Sequence, residues 1–209
     1  MQATRLPVTK LYQQDVSKEF FYTARNAGII ACDIETSGLQ WRVDKVATCQ
    51  FYIPDGPAAI VRIEENTPRY IVSLLSDQTV KKVFHHAMFD LRFMVYRWQF
   101  SPQNIACTKI ASKLLDKHLE KYSLQILLHR YLQIQLDKTQ QTSNWLLPNL
   151  TKAQKMYAIK DVLYLPALLE ILEQELRQKG LLDLMYACFA HIPTRLQLEI
   201  LGYEDVYLY

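Results

Sequence analysis

The sequence predicts an α/β domain, and three observations carry that prediction. Apolar, β-branched segments crowd the first third of the chain, at residues 29–35, 46–53 and 58–63, with the turn signal Pro54-Asp-Gly-Pro57 between the last two. Segments of helical spacing fill the remainder, as in residues 88–98, where Leu91, Met94, Val95 and Trp98 share one stripe. No repeat, low-complexity tract or flexible linker divides the 209 residues, which suffice to bury a sizeable core as one domain spanning 1–209.

Taken in order, residues 1–27 are mixed, with Tyr12, Phe20, Phe21 and Tyr22 as apolar anchors and a short amphipathic helix expected over 15–25. In the strand 29–35, side chains two apart share a face, so Asp33 and Glu35 point the same way as Ala31. Ile30, Cys32 and Ile34 pack on the other side. Three strands joined by short turns imply an antiparallel meander. Pro68 opens a helix to about residue 75, residues 80–85 return as a strand, and helices follow at 88–98, 108–119 and 123–132. After a polar loop over 137–145, Thr151 caps a long helix that Pro166 must kink or interrupt before Gly180 stops it. The tail 181–201 is expected as an amphipathic helix broken near Pro193.

Composition excludes several classes of function. A net charge of +3 permits a nucleic-acid ligand but is too small for a protein that grips a long duplex by its backbone. Cys32, Cys49, Cys107 and Cys188 form no CxxC pair, so zinc is not expected, and Cys32 and Cys49 read as inert buried thiols. No apolar run approaches the length of a membrane span and no signal pattern opens the chain, so the expected location is the cytoplasm.

Chemistry is concentrated in acids. Asp33 and Glu35 sit together at a strand end, where open α/β sheets place their ligands, and two such carboxylates need positive charge between them. Asp90 lies at a strand-to-helix junction, and Asp161 falls one helical turn after Tyr157. Singly, each has an ordinary explanation as a cap, a surface acid or a core aromatic. Jointly, four acids from two strand ends and two helices can bind a pair of Mg²⁺ or Mn²⁺ ions, which prefer hard oxygen ligands. Two ions about 3.5–4 Å apart clamp the attacking and leaving oxygens of a phosphodiester. Tyr157 would then orient the attacking water.

Asp33-Ile-Glu35, His85 with Phe89-Asp90, and Tyr157-x-x-x-Asp161 resemble the DEDDy branch of the 3′→5′ exonucleases, the RNase D-like group. Further stretches, Cys107-Thr-Lys-Ile-Ala-Ser112, residues 137–145, Leu150-Thr-Lys-Ala-Gln154 and Ala187-Cys-Phe with Pro193-Thr-Arg195, resemble the NrnC-type nanoRNases, compact bacterial enzymes that degrade RNA dinucleotides. The resemblance runs from about residue 28 to the C-terminus. It implies a ribonuclease H-like (DnaQ-like exonuclease) mixed sheet flanked by helices, with a C-terminal helical extension and a ring-like homo-octamer. It also implies a site where Asp33, Glu35, Asp90 and Asp161 hold two metal ions and Tyr157 completes the catalytic set.

Substrate contacts follow by the same resemblance. Leu39 is the candidate wedge against a base, or else a plain core leucine. Lys138, Gln141 and Trp145 are candidates to hold a terminal phosphate or a base, or else a solvated lysine and a packed tryptophan. His85 stands beside the third acid, as a substrate contact or as an ordinary hydrogen-bonded histidine. Asn144 stands where relatives commonly carry Asp, and Met88 where many carry a basic residue. The expected activity is hydrolysis of short RNA, chiefly dinucleotides, to 5′-mononucleotides. The alternatives are an RNase D-like exonuclease trimming longer RNA or single-stranded DNA and, remotely, a non-catalytic nucleic-acid binding module.

Overall fold

The computed structural model describes residues 6–208, so the expected span of 1–209 runs past both ends of the described residues. Its strands are β1 (Thr9–Gln13), β2 (Ile29–Thr36), β3 (Val46–Tyr52), β4 (Ala58–Arg62), β5 (Lys81–Phe84) and β6 (Ile105–Cys107). They form one six-stranded sheet in the order β1-β4-β3-β2-β5-β6. β2, β3 and β4 make the expected antiparallel meander. β1 adds to β4, and β5 and β6 add beyond β2, all in parallel. Central β3 is buried over all but its last residue, so its side chains are enclosed on both faces, including the polar Thr48 and Gln50.

β1 and β6 stand where no strand was expected. β1 is a sheet-edge strand with almost no buried residue, so its sequence Thr-Lys-Leu-Tyr-Gln carries no apolar face. β6 is buried but only Ile105–Cys107 long, below what periodicity can register.

The helices are α1 (Lys18–Ala27), α2 (Arg69–Ser76), α3 (Ala87–Trp98), α4 (Thr108–Leu115), α5 (Leu124–Leu132), α6 (Lys152–Leu163), α7 (Leu165–Gln178) and α8 (Leu182–Leu201). α1 starts after Ser17, whose hydroxyl accepts the Phe20 N–H. Asp15 is thereby free to serve α2 instead. Its carboxylate accepts the N–H groups of Tyr70 at 2.6 Å and Ile71 at 3.1 Å, the first-turn donors that Pro68 cannot satisfy.

The long helix after Thr151 is interrupted as Pro166 requires. α6 ends and α7 begins at Tyr164, with the proline in the first turn of α7, where its missing N–H is harmless. Gly180, at φ +68°, lies directly after the Lys179 cap of α7. α8 departs from expectation, running unbroken through Pro193. An interior proline costs about 3 kcal/mol, but Met185, Phe189, Ile192 and Leu196 lie buried along one stripe and hold the axis against the core.

α6 packs across β2, β3 and β4, and α7 across β5 and β2, so both cover one side of the sheet. Ala158 and Ile159 of α6 join Ala47, Ala58, Ile60, Trp145 and Tyr157 in an apolar cluster under this cover. Cys32 and Cys49 are free and buried, as expected, and Cys107 is likewise buried with no disulfide partner. Among the described residues no helix is long and apolar enough to cross a membrane.

Thr151 anchors α6 with a capping box: Gln154 N–H donates to Thr151 Oγ1 at 3.1 Å, and Thr151 N–H donates to Gln154 Oε1 at 2.9 Å. Replacing Thr151 by Ala should lower stability by about 1 kcal/mol, seen as a melting temperature about 2–4 °C lower. An unchanged melting curve would refute this account of the cap.

Candidate active site

β5 pairs with β2 only over Ile29–Ala31, so past Ala31 one edge of β2 has no strand beside it. The Ile34 N–H is taken by a side chain instead: Asp90, in the first turn of α3, accepts it on Oδ1 at 3.1 Å. This bond fastens α3 to the strand bearing the first two acids. On the other edge, the β3 register sets Gln50 opposite Asp33 and Thr48 opposite Glu35. Gln50 Nε2 donates to Asp33 Oδ2 at 3.2 Å. α6 brings Tyr157 and Asp161 over β2 from its buried side, one helical turn apart.

The result is convergence. One carboxylate oxygen from each of Asp33, Glu35 and Asp161 lies within 4.8 Å of the other two. Asp90 lines the same cavity but lies outside that group of three, its carboxylate committed to Ile34. The cavity has a volume of about 590 Å³. Leu39, His86, Lys109, Lys138, Gln141 and Ser143 also line it.

Burial governs the electrostatics. Desolvation, followed by the charges of Asp90, Glu35 and Asp161, raises the Asp33 carboxyl well above its ordinary range. Desolvation and the charges of Asp161 and Asp90 push Glu35 up to about 9. Burial pushes Asp90 up to about 8 despite hydrogen bonds from backbone N–H groups. Burial takes Asp161 to about 7, offset by the Tyr157 hydroxyl and the Lys138 charge. The Tyr157 phenol is raised by burial and then by Asp161 and Glu35, so it keeps its proton. Acids this reluctant to ionise together fit a cation between them. A donor set made wholly of carboxylate oxygens suits Mg²⁺ or Mn²⁺.

The other expected contacts divide. Leu39 is 80% exposed and lines the cavity, so it is not a core leucine. The turn before it is tight: a Cβ on Gly38 would sit 2.5 Å from Asp44 Oδ2, and Asp44 accepts the Gln40 N–H at 2.8 Å. Lys138 and Gln141 reach the cavity from the 137–145 loop.

His85 is a hydrogen-bonded histidine and Trp145 a packed tryptophan, one of the two readings open for each. Both His85 ring nitrogens are occupied within the chain. Nε2 lies 2.9 Å from the Tyr122 carbonyl oxygen, which can only accept, so Nε2 carries the proton and Nδ1 accepts from the Thr108 hydroxyl at 2.9 Å. Burial holds this imidazole neutral, its pKa lowered to about 3. Its ring borders the cavity while its polar atoms brace the segment leading to Ser123. Trp145 is only 2% exposed, with its ring centroid 6.0 Å from that of Tyr157. It has no free face for a base and instead backs the tyrosine.

His86 and Lys109 line the cavity without having been singled out. Burial lowers the His86 pKa to about 4, and its ring stacks on Phe89 at 6.2 Å. The signals were present: His86 lies inside the His85–Asp90 motif, and Lys109 inside the stretch 107–112.

Comparisons with known proteins agree with this geometry. A family model described as 3′-5′ exonuclease matches residues 8–177. NrnC of Brucella melitensis is 32% identical, with a TM-score of 0.89 over 97% of this chain and 98% of that one. That protein has also been solved with bound Mg²⁺ and bound to pGG. Ribonuclease D of Desulfotalea psychrophila is 36% identical over 94 residues, 45% of this chain but only 25% of the relative, so the chain spans a minor part of that protein. RNase D of Escherichia coli, 21% identical, shares the fold with a TM-score of 0.77 over 89% of this chain and 50% of that one. The mixed sheet flanked by helices is therefore ribonuclease H-like, of the DnaQ-like exonuclease kind, as expected.

The raised carboxyl pKa values fix the sign of a pH dependence. Near neutrality the folded, metal-free chain holds protons that an unfolded chain, with carboxyls near ~4, has released. Stability therefore falls as pH rises. The clean window is pH 6.5–8: below it the depressed His85 and His86 act in the opposite sense, and above it so does buried Lys82, lowered to about 8. Each proton so held is worth about 1.4 kcal/mol per pH unit, and each kcal/mol moves the melting temperature by about 2–4 °C. In chelator, the melting temperature should drop by several degrees across this window, and saturating Mg²⁺ should flatten the drop. A melting temperature that rises with pH would contradict this description of the acids.

Proposed function

The chain belongs to the 3′-5′ exonuclease family, in its RNase D-like DEDDy branch and close to NrnC, and on that premise we propose that it degrades very short RNA, chiefly dinucleotides, to 5′-mononucleotides. The observation that carries this reading is the convergence of Asp33, Glu35 and Asp161 beside Tyr157 in a bounded cavity. Its volume of about 590 Å³ falls within the range of sites for small ligands, roughly 300–1,000 Å³. The net charge of +3 also favours a substrate with few phosphates. The pGG complex of Brucella melitensis NrnC supports the same substrate class.

In this reading Asp33, Glu35, Asp90 and Asp161 hold two Mg²⁺ or Mn²⁺ ions. When bound, such ions acidify a water and neutralise charge developing on the phosphodiester. Tyr157, protonated and beside Asp161, holds the attacking water in line. Its own orientation comes from Trp145 behind it. Lys109 and Lys138 offer point charges to phosphate oxygens. Leu39 presents an apolar face to a base from the opposite rim. Water oxygen adds to phosphorus, the 3′ oxygen of the preceding nucleotide leaves, and the phosphate stays on the released 5′-mononucleotide.

We place this activity in the cytoplasm and in a homo-octamer. The exposed Val8 and Leu11 at the sheet edge, and Val206, Tyr207 and Leu208 in the tail, supply apolar surface for such an assembly. Light scattering should return eight times the 24.5-kDa chain mass.

A length series of labelled RNAs, starting from the dinucleotide, tests the substrate assignment. Turnover should be fastest on the dinucleotide, drop steeply on longer chains, and vanish in chelator. Equal rates on all lengths would favour a broader RNase D-like exonuclease. Asp161→Asn should lose turnover while keeping the wild-type fold by circular dichroism, and hydrolysis at a near-normal rate by that variant would rule out the mechanism.

A further inference from the structure

Gln50 is fully buried on β3, directly across from Asp33. A buried amide destabilises a fold unless its hydrogen bonds are made. Here only one side is satisfied. Nε2 donates to Asp33 Oδ2 at 3.2 Å, while Oε1 has no partner among the described residues. With Asp33 ionised, as a cation ligand must be, this orientation is the favourable one, since turning the amide over would press Oε1 against a carboxylate oxygen.

Packing alone does not explain this residue. Methionine or leucine would fill a similar volume with no acceptor left unpaired. Thr48, the next residue of β3 on the same face, repeats the pattern: it is buried opposite Glu35 with its hydroxyl unpartnered. The strip of β3 that faces the acids is thus polar where an apolar strip would be more stable. Asp33 has cause to need a partner there, because its neighbours Glu35 and Asp161 repel it and favour rotamers that separate the carboxylates.

We propose that Gln50 is a positioning residue whose amide holds the Asp33 carboxylate in the converged arrangement and so sets the divalent-cation affinity of the site. This rests on reading the acid cluster as a divalent-cation centre. Gln50 acts through Asp33, as partners of metal-ligating carboxylates do, and loss of such partners typically weakens metal binding by about 10–100-fold.

The test is Gln50→Met, which keeps the length of the side chain and removes the donor. Calorimetric titration with Mn²⁺ in the absence of RNA should show affinity weakened by roughly 10–100-fold. The melting temperature in chelator should be unchanged or higher, and turnover should recover as Mn²⁺ is raised. Gln50→Leu provides the same comparison if the methionine variant is unstable. Wild-type Mn²⁺ affinity in a folded variant would overturn the proposal, as would an affinity loss that merely tracks a fall in melting temperature. A wild-type protein that binds no Mn²⁺ would remove the cation-centre reading itself, and this inference with it, so the two failures are distinct.

Discussion

Loss of water around Asp33, Glu35, Asp90 and Asp161, with carboxylate repulsion added at Asp33, Glu35 and Asp90, is the constraint the rest of the structure answers to. Left to themselves these groups would separate or hydrate. The fold prevents both by building the site from elements anchored elsewhere. β2 is pinned in the middle of the sheet, α3 is fastened to it through the Asp90–Ile34 bond, and α6 is seated on β3 and β4 by Ala158, Ile159 and Trp145. Apolar burial on α6 and α7 supplies the stabilisation that the acids withdraw. The site is locally unfavourable, and the remainder of the chain carries it.

The same constraint bears on recognition. A cavity rich in carboxyl groups repels a phosphodiester unless cations intervene, so charge compensation has to be local. Lys109 and Lys138 line the same cavity as the acids, the Lys138 charge acts on Asp161, and burial lowers the Lys109 pKa. On the proposed reading, a short anionic ligand would need only a few such contacts. A long strand would need a basic track extending beyond the cavity.

Much of this was legible in the residue string because it depends on local order. Strand periodicity placed β2, β3 and β4, and the Thr151 and Pro166 signals placed α6 and its break from α7. The Tyr157–Asp161 pairing is likewise a property of one helix. What escaped depends on partners distant in sequence. β1 owes its existence to hydrogen bonds with β4, and α8 survives Pro193 because its buried stripe is packed against the core. Whether His85 offers its nitrogens to a ligand or to Thr108 and Tyr122 depends on where residues 23 and 37 positions later come to lie. Trp145 was legible as an aromatic in the right loop, but its burial behind Tyr157 is a tertiary fact. Gln50 became visible only once the register of β3 against β2 was known.

Gln154 links two parts of the site usually treated apart. While completing the cap of α6, its Nε2 also donates to Ser143 Oγ at 3.1 Å and to the Asn144 carbonyl oxygen at 3.0 Å. The loop bearing Lys138 and Gln141 is thus stapled at its far end to the helix bearing Tyr157 and Asp161. Lengthening or shortening that loop would drag on α6. Side-chain changes near the loop tip, at Lys138 or Gln141, leave these two hydrogen bonds untouched.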